Sequence, residues 1–267
     1  MRTLTEQQMI DIIWGATLMG GGGGGSISSG MDLLNAYKRD HPDAKIEVDL
    51  ITVDEMKGGY AAATAGMGAP AAIVGVDFSK YAANAFSLLQ EVAARHGKDL
   101  RYNIPVELGG FSIFFPLLLS LITEFKTVDA DGAGRAVPAL ETLLLHVNGC
   151  PTSPIALANG VNDKITVELA DSHNAPLAEK IGRDICGEFG NMVGISGWLV
   201  DKTDIENRII TGSITLCEKI GAIMRRANCP AEKLFEMLAS EKLVQSKVVC
   251  VGDVTDIRVE THGGFDY

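Results

Sequence analysis

The sequence predicts an α/β protein: a mostly parallel sheet with flanking helices. Three observations carry that expectation. Short apolar stretches of strand length alternate with longer ones whose apolar residues recur at helical spacing, the pattern of βα units. Turn residues punctuate the ends of these stretches, as in Gly66-Met67-Gly68-Ala69-Pro70 and Gly109-Gly110. With 267 residues, 46% hydrophobic and 21% charged, the chain is long and apolar enough to bury a core.

The elements follow in order. Thr5 and Gln8 have capping-box spacing ahead of a helix over 6–18, where Met9, Ile12, Ile13, Ala16 and Met19 form an apolar stripe. Six glycines, Gly20 to Gly25, lead to a second helix over 27–39. Strands are expected over 45–51 and 60–66, a long helix over 77–96, a strand over 104–108 and a buried helix over 114–125. Thr127-Val128 ends a short strand running into Asp129-Ala130-Asp131-Gly132. Beyond Gly149, 154–159 and 164–169 read as paired strands around the Asn159-Gly160 turn. A helix over 175–189, a strand over 192–200, an amphipathic helix over 209–227 and a strand over 247–260 complete the reading. The chain thus divides into an α/β domain over 1–150, its continuation over 151–245, and a terminal segment over 246–267.

Charge and composition exclude several classes. Lys+Arg number 23 against Asp+Glu 34, a net charge of −11 that repels phosphate backbones, so no nucleic acid is expected as partner. The longest apolar run, Ile113 to Ile122, is too short for ~30 Å of hydrocarbon, so no membrane association is expected. No secretory pattern opens the chain, and five scattered cysteines without Cys-x-x-Cys spacing read as reduced, mostly buried thiols, which points to the cytoplasm. Glycines are plentiful, yet no strand–Gly-x-Gly-x-x-Gly–helix unit occurs, so no nucleotide is expected.

Ligands of open parallel sheets bind beyond the carboxyl ends of the strands. Three unusual strand ends are candidates: the one carrying Met67 and Gly68, the one carrying Glu107, Gly109 and Gly110, and the one carrying Asp129, Asp131 and Arg135. If those strands are neighbours, Glu107, Asp129, Asp131 and Arg135 share one rim. Crowded carboxylates raise one another's pKa toward the range of a general acid or base, and an arginine can clamp a carboxylate or imide oxygen. Equally, Asp129 and Asp131 can cap a loop and pair with Arg135. The glycine run, with Gly22, Gly23 and Gly24 at its centre, is either an anion-binding nest of N–H groups or a flexible connection. His173 and Asn174 follow a strand and are placed among the substrate-binding candidates. His146, His173 and a carboxylate offer a possible divalent-metal site without any spacing signature, so the metal remains unknown.

Taken together, Leu4-Thr5-Glu6, the glycine run, Gly66 to Pro70, Pro105-Val106-Glu107-Leu108-Gly109-Gly110, Asp129 to Pro138, Thr211-Gly212-Ser213-Ile214 and Gly263-Gly264-Phe265 resemble the S-methyl-thiohydantoin desulfurase-like family over essentially the whole chain. The resemblance implies an N-terminal α/β domain and a smaller β-rich one, with residues 246–267 the beginning of that β-rich domain, cut short. Family chains continue beyond Gly-Gly-Phe, so a natural short form, half of a split pair or a fragment is expected here.

Two functions follow as expectations. The first is a hydrolase of a five-membered cyclic amide, a hydantoin or S-methyl-thiohydantoin. Glu107 or Asp129 would activate water, Asp131 would manage the leaving-group proton, Arg135 would orient the small-molecule substrate, and glycine-loop N–H groups would hold developing charge. The second is a non-catalytic or half-site subunit of a hydantoinase/oxoprolinase-type or split complex. Self-association, or a complex with a complementary subunit, is expected under either.

Overall fold

The computed structural model describes residues 1–68, 78–227 and 231–245, with residues 247, 249–253, 255–256, 258, 261–262 and 265–266 beyond them. An eight-stranded sheet carries the architecture, in the order β1 (Arg2–Thr5), β2 (Glu47–Ile51), β5 (Lys126–Val128), β4 (Leu100–Pro105), β3 (Tyr60–Gly68), β9 (Met192–Val200), β7 (Ile155–Ala158) and β8 (Lys164–Val167). The central neighbours β2, β5, β4 and β3 are parallel. β1 lies antiparallel on one flank, and β9, β7 and β8 alternate on the other, so five of the eight strands (β2, β5, β4, β3, β7) share a direction. The α/β expectation holds.

Helices α1 (Glu6–Gly20), α2 (Ile27–Asp40), α3 (Ser79–Arg95) and α4 (Gly110–Ile122) supply one core with Met9, Leu33, Phe86 and Phe114. Helix α6 (Ala175–Glu188) supplies the other with Ala178 and Cys186. The pleat decides which strand residue faces which layer: in β3, Ala62 enters the first core, while Ala61, Ala63 and Ala65 enter the second. The Thr5 capping box forms as expected, with Gln8 N–H to Thr5 Oγ1 and Thr5 N–H to Gln8 Oε1.

Helix α8 (Ser213–Arg226) crosses α1 at two glycines. A Cβ on Gly15 would lie 1.8 Å from the Cys217 carbonyl oxygen, and one on Gly221 would lie 1.8 Å from that of Asp11. Backbone thus meets backbone, and the Asp11–Arg225 ion pair (2.5 Å) and the Arg2–Glu218 pair flank the contact.

Several boundaries differ from the expectation. The strand placed at 104–108 ends at Pro105, because Glu107 to Gly109 turn toward α4. Helix α4 opens at Gly110 rather than Phe114, since the glycine run satisfies its first N–H groups: Gly110 donates to Gly25 O, and Phe111 and Ser112 to Gly24 O. The helix expected over 209–227 starts late and is preceded by two short elements. Residues Lys202–Arg208 form α7, Ile210–Thr211 form β10 paired with β6 (Ala130–Asp131), and α8 begins only at Ser213. The described residues within 247–260 form no strand. Cys150, Cys186 and Cys217 are free and buried, whereas Cys250 is free and exposed; Cys229, Ala69, Pro70, Gly263 and Gly264 lie outside the described residues. Among the described residues, no helix is long and apolar enough to cross a membrane.

Candidate functional site

Beyond the carboxyl ends of β3 and β4 lies a cavity of about 200 Å³, below the ~300–1,000 Å³ of pockets for drug-sized ligands and suited to one small ring. Ala65 to Gly68 of β3 form one wall, and Val106 and Glu107, just past β4, form another. Gly24, Gly25, Phe111 and Ser112 close a third side, and Glu179, Arg183, Met192 and Ile195 the fourth.

Glu107 is one of two glutamates that line this cavity. The Ser112 hydroxyl donates to its Oε1 (2.8 Å), and the Val137 N–H donates to its Oε2 (2.7 Å). Burial pushes its carboxyl above the usual glutamate range, and the charge of Asp131 pushes the same way; the two hydrogen bonds and the Arg183 charge oppose them. Crowding of carboxylates therefore contributes as expected, but desolvation is the larger cause. Across the cavity, Glu179 Oε1 accepts from Arg183 Nε (2.7 Å) and its Oε2 accepts from the Leu140 N–H (3.3 Å).

The four expected catalytic residues do not share one rim. Asp129 is spent on α8: its Oδ1 accepts the N–H groups of Ile214 (2.9 Å) and Thr215 (3.1 Å), and its Oδ2 accepts the Thr215 hydroxyl. It lines a separate hollow with Asp54 and Glu206. Asp131 is fully buried, and its Oδ1 accepts the N–H groups of Ala133 and Gly134, closing the turn that carries the chain back over β4. Gly132 N–H to Pro105 O (3.1 Å) and Leu108 N–H to Arg135 O (3.2 Å) hold that loop down. Arg135 itself is exposed and bonds its own loop through Nε to Ala136 O, so it faces away from the cavity. The arginine in the cavity is Arg183.

The substrate-binding candidates divide similarly. Gly24, Met67 and Gly68 line the cavity. Gly22 and Gly23 lie exposed in the loop outside it. Gly109 and Gly110 sit beneath: Gly109 has φ 153°, and a Cβ there would fall 2.3 Å from Gly24 O, so only glycine lets these two backbones touch. The run offers its Gly24 and Gly25 carbonyl oxygens to the start of α4. His173 is half-exposed beside Ser172, and Asn174 caps α6 by accepting the Leu177 N–H, so neither reaches the cavity. Among the described residues, no group of three or more His, Cys, Asp or Glu is placed to hold a metal ion.

Reasoning from the sequence missed Ser112, Glu179 and Arg183. Ser112 lies five residues after Glu107, in the first turn of a helix whose start was placed four residues late. Glu179 and Arg183 have the i, i+4 spacing of a helical ion pair and follow the Asn174 cap.

Residues 7–169 match the S-Me-THD-like N-terminal domain, and residues 172–267 match the S-Me-THD-like C-terminal domain. The chain belongs to the S-Me-THD-like family. Its S-Me-THD-like N-terminal part supplies Glu107 and Ser112, and the C-terminal part supplies Glu179, Arg183, Met192 and Ile195, so both parts build the cavity. The fold is similar to that of a protein from Chromobacterium violaceum known from X-ray crystallography: TM-score 0.81 and 24% identity, over 91% of this chain and 67% of that one. No curated protein matches the chain.

Two consequences of this geometry can be measured. With Asp129 acting as a helix cap, Asp129→Ala is expected to lose about 1–2 kcal/mol of stability. Thermal melts of parent and variant check this, and an unchanged melting temperature would refute the cap. Asp131 is held above the usual aspartate range chiefly by burial, against the Gly134 and Ala133 N–H groups, and among the described residues its Oδ2 has no hydrogen-bond partner. A carboxyl with a raised folded-state pKa contributes stability that is complete below its unfolded value and is lost as pH rises through the folded one. Asp131→Asn keeps an acceptor for the turn and removes the titration. Its melting temperature should therefore overtake that of the parent as pH rises toward neutrality, whereas an offset constant with pH would refute the assignment.

Proposed function

We propose that this S-Me-THD-like chain hydrolyses a five-membered cyclic amide, a hydantoin or an S-methyl-thiohydantoin, with Glu107 as general base. One observation carries the reading: a partly buried carboxylate, pushed above the usual glutamate range by desolvation, lines a cavity sized for a single ring, at the strand ends where such sheets bind ligands. A glutamate lifted toward neutrality can take a proton from an attacking oxygen and return it to the departing group within one turnover. Arg183, oriented by Glu179, supplies positive charge on the opposite wall, where it suits a ring oxygen gaining negative charge. Asp131 acts from beneath, its charge helping to keep the Glu107 carboxyl basic.

The test is turnover of a panel of hydantoins and S-methyl-thiohydantoins by the purified chain, followed as ring opening and as methanethiol release. Turnover of at least one class is expected, and it should fall by about 10²-fold or more in Glu107→Gln. A panel left untouched by active-site-competent, folded protein would overturn the reading.

A further inference from the structure

Among the described residues, the hydroxyl hydrogen-bonded to Glu107 belongs to Ser112, and it donates at 2.8 Å. Three further observations concern that serine. Ser112 is 6% exposed and lines the cavity, so a ring bound there would rest against it. The base is oriented independently, because the Val137 N–H holds its second oxygen at 2.7 Å. Nucleophile, base and orienting group thus stand in hydrogen-bonded sequence, the arrangement by which enzymes activate an otherwise weak hydroxyl. Finally, the glycine run fixes the serine's backbone. Gly24 O accepts both the Phe111 and the Ser112 N–H at 3.0 Å, and a Cβ on Gly24 would fall 2.4 Å from Leu108 O. The loop is wedged against the start of α4 at the residue that touches the base.

The geometry points to Ser112 as the nucleophile of the reaction, with water entering only in a second step. The inference rests on the ring-hydrolysis reading for its substrate, but not for the reactivity of the serine. As Ser112 Oγ bonds to the electrophilic ring carbon, its proton passes to Glu107. The tetrahedral centre then collapses with loss of the ring nitrogen in a hydantoin, or of methylthiolate in an S-methyl-thiohydantoin, and Glu107 returns the proton to that leaving group. Water, deprotonated by Glu107, next attacks the same carbon, and Ser112 Oγ departs and regains its proton. No oxidant, reductant or further reactant is needed.

Ring chemistry gives this intermediate a mass signature. A nitrogen expelled from a hydantoin stays tethered, so the adduct weighs the protein plus the entire substrate; the thiohydantoin adduct weighs the protein plus substrate less methanethiol. The experiment combines rapid-quench intact mass spectrometry on both substrates with labelling by a fluorophosphonate, which tests the serine without any substrate. The expected result is a single fluorophosphonate label mapped to Ser112, an adduct of the stated mass, and loss of both in Glu107→Gln. Turnover should fall by about 10³-fold or more in Ser112→Ala of unchanged melting temperature. An unlabelled Ser112, with ring turnover surviving in Ser112→Ala, would overturn the nucleophile while leaving the hydrolase reading intact. A labelled Ser112 with no turned-over ring would uphold the nucleophile and overturn that reading instead.

Discussion

Glu107→Gln is expected to lower kcat/KM on a ring substrate by about 10²–10⁴-fold, equivalent to roughly 3–5 kcal/mol of transition-state stabilisation. The same variant should be at least as stable as the parent at neutral pH. The amide keeps an oxygen for the Val137 N–H and a polar partner for Ser112, so the local bonds survive. What disappears is a carboxyl whose ionised form burial disfavours. Its raised pKa means that the folded state holds the proton more tightly than the unfolded one. Its contribution to stability is therefore present in acid and lost as pH climbs through the folded value. Lost activity with held or raised melting temperature marks a residue kept for chemistry at some expense of stability. A variant that lost both together would make Glu107 a structural group. The pH profile supplies a second check, since the limb of kcat/KM that reports the base should be missing in the glutamine variant.

Gly221→Ala is expected to destabilise the fold by about 3 kcal/mol, although alanine is favoured over glycine by ~1 kcal/mol in a helix interior. The contact decides the sign. The new Cβ would stand 1.8 Å from the Asp11 carbonyl oxygen, and a backbone atom of α1 cannot swing aside as a side chain can. Helices α1 and α8 must separate, and the fully buried Ile12, Ile214, Cys217 and Ile220 lose packing as they do. Gly15→Ala meets Cys217 O at the same distance and should cost a similar amount. Because the two substitutions relieve or worsen one spacing, their effects should fall short of additivity in the double variant. Thermal melts of the three variants check this, and a melting temperature raised by either alanine would refute the close contact.

Much of the fold was legible because periodicity and capping are local. Strand β9 over Met192–Val200 and the Thr5 capping box were read from the chain alone, the one from an apolar run, the other from a three-residue spacing. Errors arose where a distant partner set the boundary. No local pattern in Phe111-Ser112 announces a helix start; Gly24 and Gly25, some eighty residues earlier in the chain, provide it. The division between β10 and α8 depends likewise on Asp129, which caps the helix, and on β6, which pairs the strand. For the site, Glu107 was legible from its place after a strand, because strand ends host ligands in this architecture. Arg135 was a reasonable choice by composition, but its side chain turns along its own loop, and sequence spacing carries no such direction. Arg183 enters from a helix beyond the antiparallel hairpin, so no motif joins it to Glu107.

The position of β9 bears on how such chains can be recombined. The family match breaks between residues 169 and 172, yet β9 lies inside the sheet between β3 and β7, both of which precede that break. A graft of residues 172–267 from a relative would therefore exchange the middle plank of a shared floor. Seven β3 residues and three β7 residues would have to re-pair with an unfamiliar strand. The transplanted α8 would also have to present its own N–H groups to the resident Asp129. The set β3, β7, β9 and α8 with Asp129 is held together by pairing that crosses the point where the sequence divides.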